Sequence, residues 1–170
     1  MTATPKDVVA GTKLDQVDGS QSPGFTTGAK VRLSDGGEAV YVRATSEISQ
    51  YQAVVMLADS NAVGSLGAVP VTTTNAATSR RVAVATFGNI ASSKYGWVQV
   101  GGRPLVNLAA NCAPNVPLYT TATGGALDDA TVSGGLIGGA IAETTISNAT
   151  AVTINWAAGG FIVNGAVPGA

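Results

Sequence analysis

The chain has 170 residues, of which only 11% are charged, and its formal net charge is −1. An average globular domain carries about 25% charged residues. Nucleic-acid binders need a basic surface, and peripheral membrane binders need a cluster of Lys and Arg. The composition therefore predicts neither a nucleic-acid partner nor a membrane partner, and the length predicts a single domain.

Histidine is absent and Cys112 is the single cysteine. The missing histidine removes the commonest general base near neutral pH, the usual partner of a nucleophilic Ser or Cys, and most zinc sites. One cysteine cannot form a disulfide within the chain. The sequence thus predicts a protein that is not an enzyme, with no catalytic residues, no cofactor and no metal.

The chain begins with a stretch that has no hydrophobic period and is interrupted by Gly and Pro. Residues 1–27 are therefore predicted to form an extended N-terminal arm, and residues 28–170 a single β domain. We expect ordered structure to begin near Gly28 and the first 20 or so residues to be mobile in the free protein.

From residue 30 onward, short apolar runs alternate with turn signals, including six Gly–Gly pairs. The period is two: Val40 and Val42 share one face of a strand, and Ala39 and Tyr41 share the other. The pattern predicts an all-β sandwich or small barrel of about ten short strands, with one helical turn at 46–51 or 89–94. In chain order, the strands are predicted at 30–33, 38–44, 52–58, 68–72, 81–87, 95–100, 105–109, 116–120, 136–142, 150–156 and 161–164.

Three polar or aromatic features have a structural and a functional interpretation. Trp97 and Trp156 are predicted to be core residues rather than stacking platforms for sugars or bases. The pair Asp128–Asp129 is predicted to be a solvated turn, because a hard cation prefers six or more oxygens. Cys112 is predicted to fill a small, partly buried space.

Charge is unevenly distributed along the chain. Residues 1–103 contain all nine Lys and Arg, whereas residues 104–170 contain only three charged side chains, those of Asp128, Asp129 and Glu143. A neutral surface loses little hydration when a partner covers it, so we expect the second segment to provide an interface. A Thr-rich β surface with no partner is the alternative.

Three stretches in a fixed order resemble the head decoration, or cement, proteins of tailed double-stranded DNA bacteriophages. Together they cover roughly residues 28–142. They read GAKVRLSDGGEAVYVRA at 28–44 followed by ISQYQAV at 48–54, RVAVA at 81–85 followed by YGWVQVGG at 95–102, and PLYT at 117–120 followed by GGALDD at 124–129 and IGGA at 137–140.

The resemblance implies a virion structural protein that is made in the host cytoplasm and binds the outer surface of the assembled capsid. It implies the major capsid protein as partner, bridging of neighbouring capsomers, and self-association as a homotrimer. It brings no catalytic residue. A carbohydrate-binding or receptor-binding module of a virion appendage, using Trp97 or Trp156, is the alternative.

The arm and one basic pair provide the candidate capsid contacts. The arm can order on the shell by adding a strand to an exposed edge of the capsid protein. The candidates are Lys6, Val8, Val9, Lys13, Leu14, Arg80 and Arg81.

Overall fold

The structure is a computed structural model that describes residues 13–19, 23–59, 65–78, 81–133 and 135–163. These residues form eleven β-strands and a 3₁₀ turn at Asn75–Thr78, and none of their helices is long and apolar enough to cross a membrane. The strands are β1 (Lys30–Arg32), β2 (Glu38–Ala44), β3 (Ala53–Ala58), β4 (Leu66–Pro70), β5 (Arg81–Val84), β6 (Tyr95–Val100), β7 (Leu105–Leu108), β8 (Pro117–Thr120), β9 (Leu127–Asp128), β10 (Leu136–Ala142) and β11 (Thr150–Val163).

The strands close into two rings of five. In the first barrel, β2 pairs with β4, β4 with β3, β3 with β5, β5 with β6, and β6 returns to β2. In the second barrel the order is β11, β10, β8, β9 and β7, with β7 returning to β11. One parallel pair occurs in each ring, β2 with β4 and β7 with β9. The rings join where Phe161 of β11 pairs with Arg81 of β5.

The first barrel has its own apolar interior. Val40 and Val42 of β2 meet Val54 and Met56 of β3 there, and Val98 of β6 completes the wall. Each of these side chains is at most 2% exposed. Because the ring is closed, its strands have no unpaired edge within the barrel wall.

Strands β3 and β5 carry buried side chains on both faces, as the nearly continuous apolar run at 52–58 predicts for β3. Their other faces carry Val55, Val82 and Val84 into a second apolar cluster. That cluster contains Leu118 of β8 and Trp156 of β11. The two barrels therefore share a continuous hydrophobic contact through β3 and β5.

The outer face of β2 and β6 is the third apolar region. Tyr41, Tyr95 and Trp97 lie there, and the N-terminal residue Leu14 packs on them. Leu14 is 2% exposed. The domain boundary at residue 28 stays a prediction. Leu14, which the sequence assigned to the arm, is a core residue.

The predicted all-β class is confirmed, and the bounds of β2, β6 and β10 agree with the predicted strands. Most of the other predicted strand ends shift by one to three residues, and three larger details also differ. The two-residue strand β9 has no period to reveal it, and β11 runs unbroken through Gly159–Gly160 where a turn was predicted. The predicted helical turn is wrong, because Ile48 and Ile90 form an isolated antiparallel bridge there.

Candidate interaction surfaces

The N-terminal strap, defined as residues 13–19 and 23–27, crosses the outer face of β2 and β6. Its backbone forms an antiparallel bridge in which Asp18 N donates to Tyr95 O at 2.9 Å and Tyr95 N donates to Asp18 O at 3.2 Å. Leu14 is buried ahead of this bridge. The strap is thus fixed to β6 by main-chain pairing and by one apolar side chain.

The Asp18 carboxylate is the polar centre of the strap. Its Oδ1 accepts from Gln16 Nε2 at 2.7 Å, and its Oδ2 accepts from Gly24 N at 3.0 Å and from the Tyr41 hydroxyl. The Tyr41 bond is the largest cause of a lowered Asp18 pKa, which partial desolvation opposes. Burial, and then the bond to Asp18, raise the pKa of Tyr41. The pair is therefore a neutral phenol donating to an ionised carboxylate.

Four aromatic rings cluster around this centre. The Phe25 ring lies edge-on to Tyr41 and Trp97, with centroid distances of 5.4 and 5.2 Å. Tyr41 also contacts Trp97 at 5.1 Å and stacks on Tyr95 at 5.9 Å. Such pairs add to stability beyond the area that they bury. Phe25 covers Trp97, and Phe25 itself is 43% exposed.

A pocket of about 480 Å³ opens beside Phe25. Its wall is formed by residues 23–27 of the strap, by Ser65 before β4 and by Tyr95. No charged residue is among those that line it. Val17 and Phe25, both on the strap, are the large apolar side chains that are exposed in the described part of the chain.

A second pocket, of about 540 Å³, lies on the second barrel. Gln52, Asn107, Thr123 and Thr150 line it together with small apolar residues, and Asp128 is its charged member. The Gln52 amide is engaged already, since its Nε2 donates to Gly124 O at 3.1 Å. The pocket lining therefore combines amide and hydroxyl groups with apolar surface, and it carries a single charged side chain.

Cys112, Asp128 and Asp129 converge beside this pocket, with their ligand atoms within 4.8 Å of one another. Burial, and then the two carboxylates, raise the pKa of the Cys112 thiol to about 11. Asp129 Oδ2 accepts from Ala113 N at 2.8 Å, and Asp128 Oδ1 accepts from Asp129 N at 2.8 Å. A neutral thiol and two carboxylates offer a hard cation fewer oxygens than the six that it prefers.

A polar network ties the two barrels together. Asp35, in the β1–β2 turn, accepts from Gln99 Nε2 at 2.7 Å and from Arg103 N at 2.9 Å. Arg103 in turn donates from Nε to Glu143 Oε1 at 2.7 Å, and the pairing lowers the pKa of Glu143. Glu143 follows β10, so the network joins a turn of the first barrel to the second.

The predicted contact residues are not gathered into one site. Lys13 is exposed, Leu14 is buried against the outer face of β2 and β6, and Arg81 is exposed at the start of β5. The other candidates, Lys6, Val8, Val9 and Arg80, lie outside the described residues.

The prediction that both tryptophans are core residues is confirmed, since Trp97 is 3% and Trp156 is 2% exposed. Cys112 is also buried. The features that the sequence did not reveal are the Asp18–Tyr41 bond and the convergence on Cys112. In both cases the partners lie more than 15 positions apart, and no spacing rule connects them.

These observations describe an all-β protein of two joined five-stranded barrels with largely neutral pockets. No known protein family matches the sequence, and no curated protein is similar to it. Among solved structures, the chain resembles the N base of head fiber gp8.5 of bacteriophage phi29. The identity is 10% and the TM-score 0.51, over 74% of this chain and 92% of that one. The likeness is one of fold.

Proposed function

We propose that this protein is a virion structural protein that binds the outside of a bacteriophage head and bridges neighbouring subunits of the major capsid protein. The observation that carries the proposal is the fold shared with a phage head fiber base over 92% of that chain. The sequence resemblance to head decoration proteins points to the same location by a separate route. The protein acts through its interfaces and catalyses no reaction.

The exposed connection between β10 and β11 provides a suitable docking surface. Residues 144–150 carry no charge, and all of them except Ile146 are exposed. Ile146 is buried, and its N donates to Cys112 O at 3.2 Å, which holds the connection in a fixed shape. A rigid, neutral surface loses little hydration and little conformational freedom when a partner covers it.

Bridging requires at least two contacts per molecule. We assign the second contact to the predicted arm, with Lys6, Val8 and Val9 as its candidate residues. A homotrimer multiplies these contacts, and each later contact becomes intramolecular once the first has formed. A threefold clamp also matches the local symmetry of a capsid lattice.

The direct test is co-sedimentation of the purified protein with expanded, empty heads. We expect saturable binding to assembled heads and no binding to free capsid protein at the same concentration. Binding that favours the assembled shell stabilises it by mass action. Failure to sediment with heads, or equal binding to unassembled subunits, would contradict the proposal.

The carbohydrate-binding alternative loses the stacking platforms first assigned to it, because Trp97 and Trp156 are buried. A glycan array separates the two functions. Specific glycan binding without capsid binding would favour the appendage module.

A further inference from the structure

We propose that the N-terminal strap is a detachable latch, held on the Tyr41–Trp97 face by Asp18, whose release uncovers that face without opening the first barrel. The latch operates in the free protein, whether or not that protein binds a capsid.

The first barrel is complete without the strap. Its five strands close on one another through main-chain pairing, and its interior cluster contains no strap residue. The strap instead contacts the outer face of β2 and β6. Removing it therefore exposes Tyr41, Tyr95 and Trp97 to water but leaves the ladders and the interior intact. Segments with few buried contacts open locally at lower cost than the whole domain.

The Asp18 carboxylate is the side-chain centre of the strap's polar attachment, which also includes the main-chain bridge to Tyr95 and a hydrogen bond that Leu66 N donates to Thr27 Oγ1 at 2.9 Å. Asp18 accepts three hydrogen bonds, two from the strap itself and one from Tyr41 of the barrel. The carboxylate thus folds the strap on itself and ties it to β2 at the same point. Loss of its geometry weakens both attachments together, which is the behaviour of a latch rather than of a gradually fraying end.

Gly24 fits closely against this carboxylate. A Cβ at Gly24 would meet Asp18 Oδ2 at 2.7 Å, whereas a Cβ at Gly19 would meet nothing within 4 Å. The carboxylate cannot move away freely, because its oxygens are held by Gln16 and Tyr41. Gly24→Ala should therefore disturb the Asp18 carboxylate, whereas Gly19→Ala serves as a control that adds the same methyl group without a clash.

The test compares Gly24→Ala with Gly19→Ala by trypsin digestion. Cleavage after Lys13 requires access to Leu14, which is buried while the strap is docked. Proteolysis of this kind follows the population of the open form. We expect cleavage at Lys13–Leu14 to be about tenfold faster in Gly24→Ala, with wild-type rates in Gly19→Ala and an unchanged far-UV CD spectrum in both.

Acrylamide quenching gives a second readout. Both tryptophans are buried in the latched protein, but only Trp97 lies under the strap. Release is expected to make Trp97 accessible to acrylamide while Trp156 stays protected. Tyr41→Phe, which removes only the hydroxyl donor, should give an intermediate result in both assays.

Equal cleavage in the two alanine variants would overturn the proposal. So would a Gly24→Ala protein that loses its β-sheet CD signal, because the barrel would then require the strap. Quenching of both tryptophans together would lead to the same conclusion.

Discussion

Arg43 donates a hydrogen bond from Nη1 to Asp59 Oδ2 at 2.8 Å, and the Asp59 side chain is completely buried. Arg43 lies on β2, and Asp59 directly follows β3. The two strands are separated in the ring by β4, so the ion pair crosses over β4. Its environment is unlike that of Lys30–Glu38, whose side chains are 54% and 34% exposed.

This difference predicts unequal costs for two similar substitutions. Arg43→Leu should destabilise the protein by about 3 kcal/mol, because it removes a partner of a buried charge. Lys30→Leu should cost less than about 1 kcal/mol, because water screens an exposed pair. Chemical denaturation of both variants measures the two values. Equal losses would show that Asp59 is held mainly by other contacts.

Strap docking should depend on acid but not on mild alkali. The pKa of Asp18 is lowered in the folded state from an ordinary value near 3.8, so its stabilisation is complete above that value. It is lost as the pH falls through the lower, folded pKa. We expect constant protection of Trp97 from pH 7 to about pH 5 and growing acrylamide quenching below about pH 4.

Other charged groups on the strap and on the strands that it crosses are Lys13 and Asp15 on the strap, Lys94 before β6 and Arg43 on β2. Asp18→Asn removes the titrating group itself and should abolish the pH dependence of quenching. Asp15→Asn, on the same strap, should retain it. A pH profile unaffected by Asp18→Asn would assign the transition to another carboxylate.

Two N-terminal deletions should have different effects. Removing residues 1–12 should weaken capsid binding, since it removes Lys6, Val8 and Val9. Removing residues 1–20 also deletes buried Leu14, which should cost about 3 kcal/mol and expose Trp97 to quencher. Denaturation and head co-sedimentation measure the two effects. Unchanged head binding by both deletions would assign attachment to the barrels.

Decorated heads should release DNA at a higher temperature than bare heads. Few charges are available for docking, so the protection should be similar at about 50 mM and about 500 mM salt, where the screening lengths differ several-fold. A thermal DNA-release assay at both concentrations provides the comparison. Equal melting of bare and decorated heads would contradict the cementing function. Protection lost only at high salt would instead favour Arg80, Arg81 and the N-terminal lysines as contacts.

Charge placed on the neutral connection should weaken head binding. Thr145→Lys and Asn148→Lys add a cation that must lose water on docking, and each should reduce affinity by about tenfold or more if covered. Ser92→Lys, exposed on the first barrel, is the matched control. Equal affinity of all three variants would show that the 144–150 connection lies outside the interface.

The alternation of apolar residues by itself determined which side chains share a face. It correctly separated Val40 and Val42, which enter the first barrel, from Tyr41, which faces the strap. It also gave β2, β6 and β10 their observed bounds and indicated that both tryptophans are core residues. These results follow from local geometry, because successive side chains of a strand point to opposite faces.

Tertiary structure alone decided which strands are neighbours. The parallel pairings of β2 with β4 and of β7 with β9 close the two rings, and they use backbone groups that every residue type except proline supplies in full. The sequence pattern of a strand therefore does not indicate which strand will be its parallel neighbour. The fate of the N-terminal segment was likewise undetermined, because a lone Leu14 among polar residues has no period. It is buried only because β2 and β6 bring Tyr41, Tyr95 and Trp97 together into a face large enough to cover it.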